Sequence, residues 1–456
     1  MFKKVLIANR GEIAVRIIRA CRELGVRSVV VHSEADRDSL PVRMADESFC
    51  IGPAATGKSY LNIPNIITAA LVTGADAIHP GYGFLSENIY FAEICEKCQV
   101  TFVGPRPEVI AAMSDKSIAR ERMSEAGLPV LPGTNRPLRS LEEAQELAQE
   151  IGYPVILKAA AGGGGRGMRV VADEAELTGA FPTAQAEAQG AFGSNQLYLE
   201  KYLERCRHIE VQVIGDNHGN MIHLGERDCS VQRRHQKMIE EAPSPALDPA
   251  ERARLGALAV RGARSVGYSN AGTLEFLRDE GGRLYFLEMN TRIQVEHGVT
   301  EMITGIDLVK EQLRVAAGEP LSVRQEDVVV RGHAVECRIN AEDPEAGFSP
   351  RSGEVTMYLP PGGPGIRVDS HLYTGYTVPM HYDSLLAKVI AWGEDRPAAV
   401  RRMARALDEL RIVGTPTTVP FLRRVMDEPH FAAGDVYTDY VERFAGEQML
   451  VAADSV

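Results

Sequence analysis

Residues 153–171 read YPVILKAAAGGGGRGMRVV. The first six residues have the pattern of a buried strand that ends at Lys158, and residues 168–171 have the pattern of a second strand. Between them lie three alanines and a glycine-rich loop that contains one arginine. Consecutive glycines let backbone N–H groups approach a polyphosphate without clashes from Cβ atoms, and Lys158 adds a point charge. The pattern therefore predicts a phosphate-binding hairpin, with a flexible hairpin tip as the alternative.

The spacing of apolar residues divides the chain into four parts. In residues 1–105, short apolar strands alternate with amphipathic helices, which predicts a parallel sheet in a Rossmann-like lobe. Residues 106–129 read as a helical connector, and residues 130–203 as a smaller unit around the glycine-rich hairpin. Residues 204–456 begin with longer strands joined by hairpin turns and continue as mixed helix and strand. The predicted fold class is α/β, with an α+β C-terminal domain.

Composition excludes several classes of protein. The chain has 456 residues, and 50 Lys and Arg against 62 Asp and Glu give a net charge of −12. This balance argues against a protein that coats nucleic acid. No apolar run approaches the roughly 20 residues of a membrane span, and the immediate entry into a strand leaves no room for a signal segment. Seven cysteines in so long a chain do not form a disulfide framework, so we expect a cytoplasmic protein.

Three short patterns resemble known chemical motifs but lack the context that those motifs need. Residues 52–59 match GxxxxGK[ST], yet the next helix is expected only near Pro64, too late for a P-loop. Residues 9–12 hold one glycine where a dinucleotide-binding turn has three. Cys95 and Cys98 form a CxxC without the second pair or histidine cluster of a zinc site. We expect a surface loop in the first case and buried or incidental thiols in the last.

A second hairpin is predicted at residues 272–288, which read GTLEFLRDEGGRLYFLE. A four-residue turn at 279–282 would pair Glu275 with Phe286, and Glu288 would then lie two residues along on the same face. Diagonal neighbours on one face are about 7–8 Å apart, a separation at which two carboxylates can clamp Mg²⁺ ions. A turn one residue longer would place the two carboxylates on opposite faces. Two solvent-facing glutamates on an exposed sheet are the alternative.

Polar residues occupy every second position from Glu288 to Glu296. Carboxylate, amide and guanidinium groups together are more typical of a ligand site than of a solvated edge. Eight steps of about 3.3 Å would span about 26 Å, so the segment must bend if these groups are to converge. The first Glu and Asn would then complete a metal site, while Arg292, Gln294 and Glu296 would hold a small anion.

A basic run lies in this acidic chain at residues 232–237, which read QRRHQK. It follows an apolar–polar strand at 209–214 and the segment LGERD at 224–228. This position is typical of an active-site loop, with a solvated loop as the alternative.

Together these segments resemble the ATP-grasp enzymes, and within them the biotin carboxylase family, over nearly the whole chain. The glycine-rich hairpin and the segment EMNTRIQVEH would fit several ATP-grasp relatives, whereas HPGYGFLSEN and ERDCSVQRRHQK together are specific to biotin-dependent carboxylases. The segments that carry the resemblance are residues 7–14 (IANRGEIA), 79–88 (HPGYGFLSEN), the hairpin after Lys158, 226–237 (ERDCSVQRRHQK) and 288–297 (EMNTRIQVEH).

The resemblance implies a role for each candidate residue. The ATP site implied by it comprises Lys116, Lys158, Gly164, Gly165, the adenine hinge of Glu200, Lys201, Tyr202 and Leu203, and His208, Gln232, His235, Glu275 and Glu288. The implied Mg²⁺ or Mn²⁺ ligands are Glu275, Glu288 and Asn290, and the implied bicarbonate site is Lys237, Arg292, Gln294 and Val295. Glu296 matches the general base, Arg338 matches the residue that steadies the ureido oxygen of biotin, and Tyr82 lies near the biotin pocket. The implied catalytic set is Glu296, Arg292, Lys237 and Arg338.

The reaction implied by the resemblance forms carboxyphosphate from ATP and bicarbonate and then carboxylates biotin at N1′. The biotin-accepting sequence of the family's carrier domains, Ala-Met-Lys-Met, does not occur here. A biotin carboxyl carrier protein and a carboxyltransferase are therefore expected as separate polypeptides. This layout is that of an acetyl-CoA carboxylase subunit of fatty acid synthesis, commonly a homodimer. Subunits of pyruvate or propionyl-CoA carboxylase are the alternative.

Two other functions stay open at this point. Another ATP-grasp ligase would couple an acyl phosphate to an amine and would show no biotin-dependent ATP turnover. A nucleotide-binding protein without catalysis would be favoured if the implied catalytic residues were missing, and all four are present. Two positions depart from the family pattern. Ala161 replaces a glycine, which is expected to stiffen the loop slightly, and Gly298 replaces a proline, which is expected to loosen the chain after Glu296.

Overall fold

The computed structural model describes residues 1–134, 136–159 and 167–444. In the first lobe, short strands buried on both faces alternate with helices that bury one apolar stripe. The five strands form a parallel sheet in the order β3-β2-β1-β4-β5, which confirms the predicted Rossmann-like lobe. Its elements are β1 (Lys4–Ile7), α1 (Gly11–Glu23), β2 (Arg27–His32), α2 (Leu40–Met44), β3 (Glu47–Cys50), α3 (Ile63–Thr73), β4 (Ala77–His79), α4 (Ile89–Lys97) and β5 (Thr101–Phe102).

The segment that matches a P-loop, residues 52–59, contains a single turn of 3₁₀-helix at Thr56–Lys58. Helix α3 begins at Ile63, has Pro64 in its first turn and is capped by the side chain of Asn62. The helix therefore starts after the loop rather than at its lysine, and the predicted start near Pro64 is confirmed.

The middle of the chain builds a small unit on a three-stranded antiparallel sheet of order β7-β6-β8. Lys158 on β6 pairs with Met168 on β7, so the predicted arrangement of strand, loop and strand is confirmed. The loop itself, with Ala161, Gly164 and Gly165, lies outside the described residues. The elements are α5 (Pro107–Ser114), α6 (Lys116–Glu125), α7 (Leu141–Ile151), β6 (Val155–Ala159), β7 (Met168–Val171), α8 (Glu174–Phe192) and β8 (Leu197–Lys201).

The third region is built on an eight-stranded antiparallel sheet of order β13-β12-β9-β10-β11-β14-β21-β19. The first elements of this region are β9 (Cys206–Gly215), β10 (Met221–Arg233), β11 (Gln236–Ala242), α9 (Pro249–Ser265), β12 (Asn270–Asp279) and β13 (Leu284–Asn290). They continue with α10 (His297–Thr304), α11 (Leu308–Ala316), β14 (His333–Asn340), β15 (Glu342–Asp343), β16 (Ser349–Pro350), β17 (Gly353–Val355), β18 (Met357–Leu359), β19 (Ile366–Ser370), β20 (Tyr376–Val378) and β21 (Leu385–Gly393). The chain ends in α12 (Arg396–Glu409), β22 (Arg411–Val413), α13 (Val419–Met426) and α14 (Pro429–Ala433).

The two faces of this large sheet differ in chemistry. Odd-numbered residues of β14 and β21, such as Val335 and Val389, pack with α12 and α13 in an apolar core. Even-numbered residues point to the other face and include Glu336, Arg338 and Lys388, all on strands that are almost fully buried. Because strand side chains alternate, one face supplies the core while the other carries buried charge.

No helix in the described part of the chain is long and apolar enough to cross a membrane. The proposed boundaries at residues 105, 129 and 203 stay predictions.

Gly298 lies buried in the first turn of α10, against the charged face of the large sheet. A Cβ atom at this position would be 2.3 Å from Ile390 Cδ1 and 3.1 Å from Glu336 Oε2. The glycine therefore fills a tight contact, and the chain here leaves no room for the side chain of another residue unless Ile390 moves.

We expect Gly298→Ala to lower the free energy of unfolding by about 1–3 kcal/mol, because overpacking a buried contact forces neighbouring side chains to shift. Urea denaturation of the two proteins measures this difference. The double variant Gly298→Ala with Ile390→Val removes the clashing Cδ1 methyl group and should recover part of the loss. An unchanged free energy of unfolding in the single variant would contradict the packing seen here.

Candidate active site

The hairpin of β12 and β13 brings the two predicted metal carboxylates together, but in a different register. Arg278 pairs with Leu284 and Phe276 with Phe286, so the turn is one residue longer than predicted. A β-bulge between Glu275 and Phe276 then shifts the pairing, and Glu275 lies directly opposite Glu288. The predicted pairing of Glu275 with Phe286 is wrong. The two carboxylates nevertheless lie on one face, as predicted, because the bulge compensates for the longer turn.

The two carboxylates have opposite electrostatic environments. Burial alone would raise the pKa of Glu275, but Lys237 and His208 hold it well below its ordinary value. Burial raises the pKa of Glu288, and the negative charge of Glu275 raises it further. Among the described residues, no hydrogen bond or ion pair reaches the Glu288 carboxylate. A buried carboxylate pair of this kind suits a divalent cation, which would relieve the repulsion.

Lys237 occupies the centre of a cluster of carboxylates. Its Nζ lies 2.6 Å from Glu210 Oε2, 3.0 Å from Glu275 Oε1 and 2.6 Å from Glu296 Oε1. Burial alone would lower the pKa of Lys237, but these three neighbours hold it well above its ordinary value. The ammonium group is therefore charged, and it links strands β9, β11 and β12 to the start of α10.

The segment after β13 bends, as the alternation of polar residues predicts. The strand ends at Asn290, and Glu296 is the N-cap residue of α10. The bend returns the Gln294 side chain to Glu275 Oε1, at 2.7 Å, and the Glu296 carboxylate to Lys237. The predicted alternation therefore continues as a turn rather than as a strand, and its groups converge.

Arg292 and Val295 point to different partners within this bend. Arg292 Nε donates to Glu87 Oε2 at 3.0 Å, and its Nη2 donates to the side-chain oxygen of Asn290 at 2.9 Å. The carbonyl oxygen of Val295 accepts a hydrogen bond from the buried Nζ of Lys388 at 2.7 Å. Asn290 also donates to Glu275 Oε1 at 2.8 Å, and its oxygen has a second lone pair left for a cation.

Arg338 lies on the other side of Glu296 from Lys237. Its Nη2 is 2.9 Å from Glu296 Oε2, and its Nε donates to Glu240 Oε1 at 2.6 Å. Burial alone would raise the pKa of Glu296, but Lys237 and Arg338 hold it well below its ordinary value. Glu296 is therefore an ionised carboxylate between two cations.

Tyr82 belongs to the same end of the site. Its hydroxyl donates to Glu12 Oε1 on α1, and Arg338 is close enough to act on its pKa, which burial raises well above the ordinary value. Gly81 positions it with a positive φ of 63°, where a Cβ atom would be 2.9 Å from Asn9 Nδ2. Asn9 in turn donates to the carbonyl oxygen of Tyr82 at 2.7 Å.

The predicted nucleotide residues lie along β6, β8 and the mouth of the large sheet. Lys158 Nζ makes an ion pair with Glu200, which Arg120 also contacts at 3.2 Å. Lys201 donates to the backbone carbonyls of residues 152 and 153 at 2.9 and 3.0 Å, so its side chain supports the hinge and does not point outward. Tyr202 and Leu203 directly follow β8.

The remaining predicted nucleotide residues lie closer to the carboxylates. His208 Nε2 is 2.9 Å from Glu275 Oε2, and Gln232 is buried near the end of β10. His235 occupies the exposed β10–β11 turn with a positive φ of 64°. Lys116 begins α6, where its charge helps to lower the pKa of Glu200 and opposes the rise in the pKa of Glu288. The two predicted loop glycines cannot be placed, because they lie outside the described residues.

Several groups of the site have no counterpart among the predicted residues. Glu210 shares Lys237 with the predicted carboxylates, and Glu240 shares Arg338. A signal for Glu210 existed in the alternation of β9, where the polar residues 208, 210 and 212 lie on one face. The residues missed by the sequence reasoning are Glu87, Arg120, Glu210, Arg227 and Glu240.

Three family models match consecutive parts of the chain: "Biotin carboxylase, N-terminal domain" at residues 1–110, "Carbamoyl-phosphate synthase L chain, ATP binding domain" at 115–324 and "Biotin carboxylase C-terminal domain" at 336–443. A biotin carboxylase of Nostoc sp. is 58% identical, over 97% of this chain and 99% of that protein. The chain belongs to the biotin carboxylase family. It is therefore an ATP-dependent enzyme of α/β fold that carboxylates biotin.

Two further members of the family show the range of the resemblance. A subunit of the pyruvate carboxylase of Methanothermobacter thermautotrophicus is 54% identical, over 97% of this chain and 90% of that protein. The biotin carboxylase domain dimer of Hydrogenobacter thermophilus 2-oxoglutarate carboxylase, solved with MgADP, ADP and bicarbonate, has a TM-score of 0.92 at 52% identity and covers 97% of this chain and 98% of its own.

The depressed pKa of Glu296 predicts a pH-dependent contribution to stability. A carboxylate whose pKa is lower in the folded state stabilises the folded protein. This contribution is complete when the pH is above the ordinary pKa of 4.5, and it is lost as the pH falls below that value. We therefore expect Glu296→Gln to cost about 3 kcal/mol at pH 7 and progressively less below about pH 4.5. Urea denaturation of both proteins from pH 7 to about pH 3.5 measures the difference.

The matched control is Glu280→Gln, because Glu280 pairs with Arg205 at 3.0 Å on the protein surface. This variant should change the free energy of unfolding little at any pH. A cost of Glu296→Gln that stays constant down to the lowest pH would contradict the ionised state assigned here.

Proposed function

We propose that this site forms carboxyphosphate from ATP and bicarbonate and uses it to carboxylate biotin at N1′ on a separate carrier protein. The observation that carries the proposal is the position of Glu296, an ionised carboxylate between the cations Lys237 and Arg338. An ionised carboxylate is the form that can accept a proton. The two cations are the groups that would bind a small anion on one side and stabilise developing negative charge on the other.

The metal assignment rests on the Glu275 and Glu288 pair, with Asn290 as a third oxygen donor. These residues fit Mg²⁺ or Mn²⁺, because both carboxylates are on one face and no hydrogen bond or ion pair reaches Glu288 among the described residues. A bound ion of this kind neutralises phosphate oxygens and aligns the phosphoryl group for in-line transfer. On the protein side, Lys116 and Lys158 add positive charge, and Glu200 to Leu203 form the adenine hinge.

The bicarbonate assignment rests on Lys237, Arg292, Gln294 and the backbone at Val295. A bicarbonate anion bound between Lys237 and Arg292 would draw both cations away from the carboxylates that they now contact. The pKa of Glu296 would then rise toward that of bicarbonate, which turns a weak base into an effective one. Glu296 removes the bicarbonate proton, and the resulting oxygen attacks the γ-phosphorus as ADP leaves.

The second half of the reaction takes place around Arg338 and Tyr82. Carboxyphosphate breaks its C–O bond to give CO₂ and phosphate, and the phosphate takes the proton from biotin N1′. The nitrogen then attacks CO₂, while Arg338 stabilises the enolate-like ureido oxygen. The hairpin of β6 and β7 acts as a lid that excludes the water that would hydrolyse the intermediate.

The partners follow from the same assignment. We propose a biotin carboxyl carrier protein and a carboxyltransferase as separate chains, because the chain matches the Nostoc biotin carboxylase over 99% of that protein. A homodimer is supported by the dimer of the Hydrogenobacter thermophilus domain. The cytoplasmic location is supported by the seven cysteines, all of which are free.

Acetyl-CoA is the acceptor that we propose for the complete complex. The support is the separate-subunit layout shared with the Nostoc relative, which this chain matches over 99% of its length. The matches to one subunit of pyruvate carboxylase and to one domain of 2-oxoglutarate carboxylase mean that the acceptor depends on the partner carboxyltransferase.

We expect bicarbonate-dependent ADP release with Mg²⁺ to be strongly stimulated by free biotin. Glu296→Gln should lower the stimulated rate by about 10²–10⁴-fold, because it removes the base. Arg338→Gln should lower it by about 10²–10³-fold, because it removes the stabilising cation. Nucleotide affinity should be unchanged in both.

Arg396→Gln is the matched control, because Arg396 pairs with the buried Glu241 at 2.6 Å and has no part in the proposed site. Its biotin-stimulated rate should equal that of the natural protein. ATP turnover that ignores biotin would instead identify another ATP-grasp ligase. Nucleotide binding without turnover under any condition would identify a noncatalytic protein.

We expect Glu288→Gln to raise the Mg²⁺ concentration needed for half-maximal ADP release by roughly tenfold or more, because it removes one ligand charge. Titration of Mn²⁺ monitored by electron paramagnetic resonance measures the binding directly. Glu226→Gln is the control, since that buried carboxylate pairs with Arg252 at 2.7 Å outside the site. Equal Mn²⁺ affinity in all three proteins would rule out the assigned ligand.

A further inference from the structure

Arg227 lies on β10 with a fully buried side chain and is the largest side chain below 2% exposure. Its Nε donates to Glu210 Oε1, on the neighbouring strand β9. Its Nη1 donates to Gln212 at 2.8 Å and Thr300 at 2.9 Å, and its Nη2 donates to Thr273 at 3.2 Å and Gln294 at 2.9 Å. A guanidinium has five N–H donors, and all five are used here.

The contact with Gln294 determines how that side chain is oriented. A guanidinium only donates, so the Gln294 group facing Arg227 must be the carbonyl oxygen. The amide nitrogen of Gln294 therefore faces Glu275 Oε1, at 2.7 Å. A half-turn of the amide would place its oxygen against the Glu275 carboxylate and its N–H against the guanidinium, so Glu275 and Arg227 fix the orientation together.

The contact with Glu210 reaches Lys237. Glu210 uses Oε1 for Arg227 and Oε2 for Lys237 Nζ, at 2.6 Å. The carboxylate is fully buried, so it cannot exchange either partner for water. The position of the ammonium group therefore depends on the position of the guanidinium behind it.

The contact with Thr300 reaches the start of α10. Thr300 lies four residues after Glu296, which is the N-cap residue of that helix. Residues four apart lie on the same side of a helix, so this hydrogen bond holds the side of α10 from which Glu296 extends. Arg227 thus contacts Gln294 directly, shares Glu210 with Lys237, and holds α10 at Thr300, four residues after Glu296.

We propose that Arg227 is the positioning residue of the bicarbonate half of the site, which nothing in the family resemblance assigned to it. The inference rests on the proposed function, because it takes Lys237, Gln294 and Glu296 as the bicarbonate-binding and proton-accepting groups. Arg227 touches no substrate, since it is buried behind these groups. Lysine cannot replace it, because an ammonium has three donors and no planar fork.

The test is Arg227→Lys in the full chain, measured by ADP release with Mg²⁺ and free biotin. The KM for bicarbonate should rise, or kcat should fall, by about 10²-fold in total, because small misplacements of reacting groups have effects of this size. The Kd for MgADP should stay within about twofold of the natural value, a split that general loss of structure would not produce. A KM for bicarbonate and a kcat both within twofold of the natural values would overturn the proposal.

The matched control is Arg207→Lys, because Arg207 is also buried in the same sheet but donates to the backbone oxygen of Gly434, at 2.7 Å. Its KM for bicarbonate should equal that of the natural protein. The same rise in both variants would overturn the proposal, because it would show an effect of any buried arginine in the sheet.

Thr300→Val keeps the proposal testable if Arg227→Lys does not fold. It removes one of the five acceptors and should raise the bicarbonate KM severalfold at unchanged MgADP affinity; no change would count against the proposal.

The activity of the natural protein distinguishes a failure of the proposed function from a failure of the role proposed for Arg227. If it shows no bicarbonate-dependent ADP release, the proposed function fails; if it does and Arg227→Lys behaves naturally, only the role of Arg227 fails.

Discussion

The site depends on one constraint, the need to balance the charges that the large sheet buries around Lys237. Lys237 stands among Glu210, Glu275 and Glu296, and each of these carboxylates has a second cationic or polar partner. An unpaired charge in this environment would cost several kcal/mol, so each group restricts where its neighbours can lie. The strands, the bend after β13 and the start of α10 are thereby held in one arrangement. A bound anion or cation would change that balance, because it would compete for the same charged partners.

The charged face continues beyond the reacting groups. Glu240 and Glu336 lie opposite each other on the neighbouring strands β11 and β14, and burial raises the pKa of Glu240 to about 7 although Arg338 opposes the shift. Farther along, Lys388 is fully buried between the Val295 carbonyl and Glu12, whose other contact is Tyr82. Glu12 belongs to the N-terminal lobe, so this lysine ties that lobe to the segment that carries Glu296. The arrangement explains how two separate sheets contribute to one site.

Much of the fold follows from local pattern. The alternation of strand and helix in residues 1–105, the helix start at Ile63 and the hairpin that carries Lys158 all appear where the apolar spacing and turn residues place them. The convergence of residues 288–296 also follows, because an extended segment is too long to gather its polar groups. The register of β12 and β13 did not follow. Turn length was predicted one residue too short, and no sequence pattern marked the bulge at Glu275.

The sequence by itself determined the fold class and the family, and it predicted a set of candidate site residues, because motifs record which side chains the chemistry needs. The tertiary structure alone decided which side chains contact two charged partners at once. The contact between Glu210 and Arg227 became visible only when β9 and β10 were placed side by side. The sequence predicts that Gly298 loosens the chain after Glu296, whereas the structure shows that Gly298 packs closely against Ile390. Register, bulges and partner choice are settled by packing between segments far apart in the chain, and local residue patterns carry little information about such contacts.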